Sequence, residues 1–274
     1  MELGKRLLIS PTAFLQAAIV FSVLFAHDAR AQDIGMAIFN SANSAAINIA
    51  GTNAMNAAIA SQYDQDSGPS TPQEPYRWGT SKKRAQAPVA PAVEIDTSPP
   101  AALDFRPDAE VTRTVNARFA DLLGSLQPDK RDQIAAELDS GALQAKFAQL
   151  LASYGYSSRN LADVMTAYLI IAWEVVHNQD ATRYINGIGT VHVSMRKALS
   201  RSPSVRDLSD AQKQELAETL GNLTMLAAVA KNALVQRGDT DNLALLQENV
   251  RTTTQKFGVD LASVQLTDQG FVPQ

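Results

Sequence analysis

From about residue 108 to residue 271 the apolar positions recur at helical spacing. Val111, Val115, Phe119 and Leu122 share one face, with Asp108 ahead of them as a cap. Pro128 suits a first helical turn before Ile134 and Leu138, and Gly141 closes that short helix. Leu143, Phe147, Leu150 and Tyr154 form a third stripe, ended by Gly155. A fourth helix is expected over about 161–178, with Asn160 and Asp163 as capping candidates. A fifth carries Ile185, Ile188, His192, Met195 and Leu199, its start weakened by Gly187 and Gly189. Ser209 and Gln212 then read as a capping box before Leu216, Leu220, Leu223, Ala227, Ala230 and Leu234, with Gly238 as the stop. Leu243, Leu246, Val250 and Phe257 mark a last helix closed by Gly258. No strand alternation or internal repeat is read in this region. The pattern predicts one all-α, bundle-like domain of six or seven helices.

The chain upstream has a different pattern. Lys5 and Arg6 precede the apolar run "AFLQAAIVFSVLFA", and "ARAQ" sets Ala29 and Ala31 at the small-residue positions of an export cleavage site. Residues 1–31 are therefore expected to be a signal peptide cut between Ala31 and Gln32, leaving no membrane span afterwards. The alternative, an uncleaved anchor, is interrupted by Pro11 and Gln16. Residues 32–62 are rich in Ala and Asn and read as an arm, a short helix or a mobile segment. Residues 63–107 hold most of the prolines, have few aliphatic residues for a core, and read as a disordered linker. Within it, "YRWGTSKKR" (76–84) mixes aromatic and basic residues and reads as a contact site for an anionic partner or, more simply, as a solvated patch in a tether.

The fourth helix needs a closer reading, because "TAYLIIAWEVVHN" (166–178) is strongly apolar and contains a Glu-x-x-His. On a helical wheel Leu161, Val164, Met165, Tyr168, Ala172 and Val175 share one face. Asp163, Thr166, Glu174 and His177 fall opposite, with Trp173 at the boundary. A membrane span needs about 20 predominantly apolar residues, more than this run offers. Glu174 and His177 have the spacing used in di-iron bundles, but the chain supplies no second copy. Asp163 lies about 16 Å from Glu174 along the helix axis at 1.5 Å per residue, too far to complete a site. The polar side is therefore expected to be a solvated face, and His192 a histidine packed at a helix contact. Asp163, Tyr168, Trp173, Glu174 and His177 are the candidate binding residues of a groove on this helix. No catalytic or metal-ligating set is assigned, and no cofactor is expected.

Composition narrows the classes further. The chain has no cysteine, which removes disulfides, thiolate chemistry and thiolate metal sites. Loss of residues 1–31 takes away three basic and two acidic groups and moves the net charge from −4 to −5. A mildly acidic protein has no general attraction for nucleic acid. Phosphate-loop, nucleophile-elbow and zincin motifs are absent.

Three segments, "YGYSSRNLADVMTAYLIIAWEVVHN", "QELAETL" and the terminal "LTDQGF", resemble a family of exported bacterial proteins known only as a domain of unknown function. The resemblance covers about residues 105–271. Tyr154-Gly155, Leu161-Ala162-Asp163, Ala167-Tyr168, Trp173, Glu218 and the closing Leu-Thr-Asp-x-Gly-Phe carry it. Similar sequences have Asn-Gly after the tryptophan helix, where this one has His177-Asn178. The resemblance implies export and a helical fold, and it implies no catalytic residues.

The expected function is an exported, periplasmic or secreted, non-catalytic binding or structural protein of the bacterial envelope, with a protein or other envelope partner. Two alternatives stand beside it: an envelope enzyme, possibly a metal-assisted hydrolase, using Glu174 and His177 with His192 or Asp163; and a helical inhibitor of an envelope hydrolase. Mass spectrometry after export and limited proteolysis should find a mature terminus at Gln32, cuts within 67–107 and a resistant helical fragment beginning near residue 108. A stable fragment cut inside 161–178 would overturn the division.

Overall fold

The computed structural model describes residues 102–274 except Gln127 and Phe257. The expected signal peptide with its Ala31/Gln32 junction, the expected 32–62 arm, the expected linker up to residue 101 and the stripe position Phe257 lie outside the described residues. The described chain holds eight α-helices, three short 3-10 turns and one hairpin: α1 (Ala109–Leu126), α2 (Arg131–Asp139), α3 (Ala142–Ser153), α4 (Leu161–His177), α5 (Ile185–Arg201), α6 (Pro203–Arg206), α7 (Asp210–Arg237), α8 (Thr240–Lys256), β1 (Val264–Thr267) and β2 (Gly270–Pro273). The class is all-α, as the periodicity predicts. The single-turn α6 and the hairpin were not expected.

The central element is α4. Asn160 caps it by accepting from Ala162 N (3.0 Å) and Asp163 N (3.2 Å), which satisfies two amides of the first turn. Asn178 ends it in the left-handed region at φ 48°, with Gln179 N donating back to the Glu174 carbonyl. Asn tolerates that conformation better than most residues with a Cβ, so the helix stops without the expected glycine. Helices α3, α5, α7 and α8 pack around it. Twelve of its 17 residues are buried, among them Trp173, Leu161, Val164 and Val175 with no exposed surface.

Helix α1 is fixed to α7 by polar contacts. Gln214, fully buried, accepts from Asp108 N (2.7 Å) and donates to Asp108 O (2.8 Å). Its amide also donates to Glu218 Oε1, which takes a further bond from Thr112 Oγ1, each 2.8 Å. Asp108 caps α1 through Glu110 N (2.8 Å), and Ser209 with Gln212 forms the predicted capping box of α7.

The fold departs from the sequence expectation at both ends. The sequence pattern extends the linker to residue 107, yet Leu103 and Phe105 are in the core, and Leu103 O and Phe105 N bond to Leu161 N and Arg159 O. Folded chain therefore reaches back at least to Ala102, because two large apolar side chains separated by one residue suffice to dock an extended strip. The C-terminus, expected to hold no strand, forms an antiparallel hairpin with Leu266 opposite Phe271 and Thr267 opposite Gly270. Val264 and Leu266 are buried and Gln265 and Thr267 half-buried, an alternation only four residues long and easily missed.

The hairpin packs on α5 at Gly187. A Cβ there would lie 1.8 Å from the Thr267 carbonyl oxygen, so only glycine admits the approach. Gly270, at φ 98°, lets the turn close against Thr190 and Val191. Gly187→Ala should therefore lower stability by roughly 1–3 kcal/mol, as overpacking does. Gly189→Ala, two residues on with nothing within 4 Å of its Cβ, should be neutral or stabilising by up to about 1 kcal/mol. Thermal melts of both variants check the contrast, and equal effects would show that the close approach is not what Gly187 is for.

Candidate functional site

Burial of α4 reverses the expected solvated face. Asp163 is 7% exposed and Thr166 fully buried, and Glu174 and His177 are only half-exposed. Tyr168 and Trp173 are core residues with 2% and 0% exposure, so neither lines a groove. The wheel correctly groups the polar residues. It cannot show that α5, the C-terminal segment and the α4–α5 connection cover that side too.

Glu174 and His177 bind main chain at the end of α4. Glu174 Oε1 accepts from Ala181 N (2.7 Å), fixing the turn that follows the helix. The His177 Nε2–H donates to Leu261 O (2.8 Å), and its ring stacks on Trp173 with centroids 4.8 Å apart. Trp173 Nε1 donates to Val264 O (3.2 Å), so adjacent rings hold the entry to β1. Burial pushes the Glu174 carboxyl above its ordinary range and Asp180 adds to this, while the Ala181 amide and Lys231 oppose it. Lys231 is held below its ordinary range by burial, with Glu174 and Asp180 opposing, and its Nζ donates to Gln179 O (3.0 Å). Burial, followed by the charges of Glu174 and Asp180, raises Tyr154. These groups pin the α4–α5 connection and leave the Glu-x-x-His spacing without a shared ligand. Among the described residues there is no group of three or more His, Cys, Asp or Glu side chains able to hold a metal ion, and no helix long and apolar enough to cross a membrane.

Asp163 lies at the other end of α4 and does have a partner. Its Oδ2 accepts from Ser157 N (2.8 Å), and its Oδ1 takes the His192 Nε2–H at 2.6 Å. The imidazole stacks on Tyr156 with centroids 4.3 Å apart. Burial and the nearby Asp163 charge raise the Tyr156 phenol. His192 is thus held by two partners, Asp163 and Tyr156, and is more than the packed histidine expected from its stripe.

The far side of His192 faces an open cleft of about 610 Å3. One wall is α5: His192, Arg196 and Ser200 recur every fourth residue, as do Val193 and Lys197. The opposite wall is the strip 102–104 with Asn160, whose Nδ2 donates to Asp104 Oδ1 (2.8 Å). Arg196, Lys197, Asp104 and the cleft itself escaped the sequence reading. The wall residues come from segments more than thirty residues apart, and nothing in local spacing joins them. The only legible hint was the exposed cationic side of a helix, a pattern that usually marks solvent.

Residues 9–274 match the profile of DUF6683, a family of unknown function. Neither a curated protein nor a solved structure matches the chain.

The raised carboxyl of Glu174 predicts a pH dependence. A carboxyl that holds its proton more tightly when folded adds stability below its ordinary range, and that stability is lost as pH rises through the raised folded value. Glu174→Gln keeps an acceptor for Ala181 N and removes the charge. It should melt above the wild type near pH 7–8, with the gap closing toward pH 4. A deficit of constant size across that range would show that the Glu174 charge is needed at its place.

Proposed function

The chain belongs to DUF6683, a family of unknown function, and we propose that it is an exported, non-catalytic binding protein of the bacterial envelope. Its ligand site, on this reading, is the cleft between α5 and the strip 102–104. One observation carries it: the titratable side chains of α4 are committed to internal partners, while the cleft walls present Arg196 and Lys197 with no ion-pair partner among the described residues. Sites of this kind are concave and largely apolar, with a few polar groups to orient the ligand. Export rests on the basic start, apolar run and Ala-x-Ala site of residues 1–31.

The enzyme reading keeps one supporting observation, the Asp163–His192 pair beside the cleft. An imidazole oriented by a carboxylate suits proton transfer. That reading no longer rests on Glu174 and His177. Titration of isotope-labelled mature protein with low-molecular-weight envelope extract separates the two. We expect resonance shifts centred on Asn160, His192 and Arg196, recovery of the bound compound unchanged, and the protein itself in the envelope or secreted fraction. Chemically altered compound would favour the enzyme, and cytoplasmic retention or shifts remote from the cleft would overturn the proposal.

A further inference from the structure

The chemistry of the cleft walls narrows the ligand. The chain as a whole is acidic, with net charge −4, yet this wall of α5 carries two cationic side chains and no acid. Arg196 and Lys197 are exposed, one on each stripe of the wall, and have no ion-pair partner among the described residues. The acid opposite, Asp104, has an oxygen engaged by the Asn160 amide. Between these charges the surface is apolar. Val193 is 65% exposed on α5, and Ala102 is exposed on the strip across from it. An exposed valine beside two cations that are unpaired among the described residues is poorly matched to water and well matched to a molecule with an acidic head and a hydrocarbon body.

We propose that the cleft binds a small amphiphilic acid, its carboxylate or phosphate head on Arg196 and Lys197 and its alkyl part against Val193 and Ala102. This rests on the reading of the cleft as the binding site and adds the class of ligand. Guanidinium takes a carboxylate or phosphate through paired N–H donors, and the lysine adds a point charge beside it. His192, immobilised by Asp163 and Tyr156, is a fixed part of the same α5 wall. A free acid suits the cleft better than a membrane surface, because a volume of about 610 Å3 lies in the range of small-molecule pockets.

The test uses the mature protein with octanoate and octyl phosphate as probes, 1-octanol and octylamine as neutral and cationic counterparts, and phosphatidylglycerol vesicles as the membrane arm. Both acids should saturate at one per chain with shifts at Val193 and Arg196, and bind at least ~10-fold tighter than octanol or octylamine, the factor that one charge-assisted contact supplies. The double substitution Arg196→Gln, Lys197→Gln should lose about tenfold for the acids and little for octanol. Arg183→Gln, a remote exposed cation, should change neither, and unchanged circular dichroism shows that the variants are folded. Equal binding of octanol or octylamine at the same resonances would overturn the acid class and leave the cleft as a binding site. Absence of cleft shifts with every probe would overturn this inference, while the extract titration judges the broader reading separately. Vesicle binding that octanoate does not displace would move the site to a membrane surface and overturn it as well.

Discussion

Burial of α4 on nearly all sides is the constraint on which the rest of the structure depends. A helix packed by α3, α5, α7 and α8 cannot leave its polar side chains to water. A buried polar group without a hydrogen bond costs about 1–3 kcal/mol, and a buried unpaired charge costs more. Each polar residue of α4 has therefore been given a partner. Thr166 bonds back to Ala162 O, Asp163 to Ser157 N and His192, Glu174 to Ala181 N, and His177 to Leu261 O. The surrounding loops are shaped by the need to supply those partners.

The same requirement explains why the C-terminus folds as it does. Trp173 and His177 each need an acceptor, and both find it in the main chain between Leu261 and Val264. This fixes the entry to β1, and the hairpin then presses the Thr267 carbonyl against α5 at Gly187. The terminal Leu-Thr-Asp-Gln-Gly-Phe is thus a docking device: Thr267 Oγ1 accepts from Gln269 N inside the turn, and Gly270 supplies its left-handed corner. A two-stranded hairpin of this length would not be stable alone. Here the helices hold it.

At the opposite end of α4 the first turn links the helix to the cleft. Asn160 caps α4 with its oxygen and holds Asp104 with its amide, so one side chain aligns the helix start with the strip that forms a wall. Asp163, three residues on, holds His192 on the other wall. Both walls are therefore referenced to one rigid helical turn, the kind of support that keeps a site from loosening. On the same wall, Arg196 and Lys197 have no ion-pair partner among the described residues.

The sequence alone determined the elements that local rules govern. Most of the apolar stripes, the Asn160 cap, the capping box of Ser209 and Gln212 and the stops at Gly155 and Gly238 depend on neighbours within about four residues and were legible, whereas Ile185, read into the fifth stripe, is 54% exposed. The all-α class followed from them. Tertiary structure decided which face met solvent. The 3.6-residue period reports that Asp163, Glu174 and His177 share a side of α4, but coverage of that side depends on α5 and the C-terminal segment. The pairing of Asp163 with His192 spans 29 residues, that of His177 with Leu261 84, and the cleft walls meet only after α4 has been enclosed. Contacts of that kind are set by three-dimensional packing, and one-dimensional spacing carries no record of them.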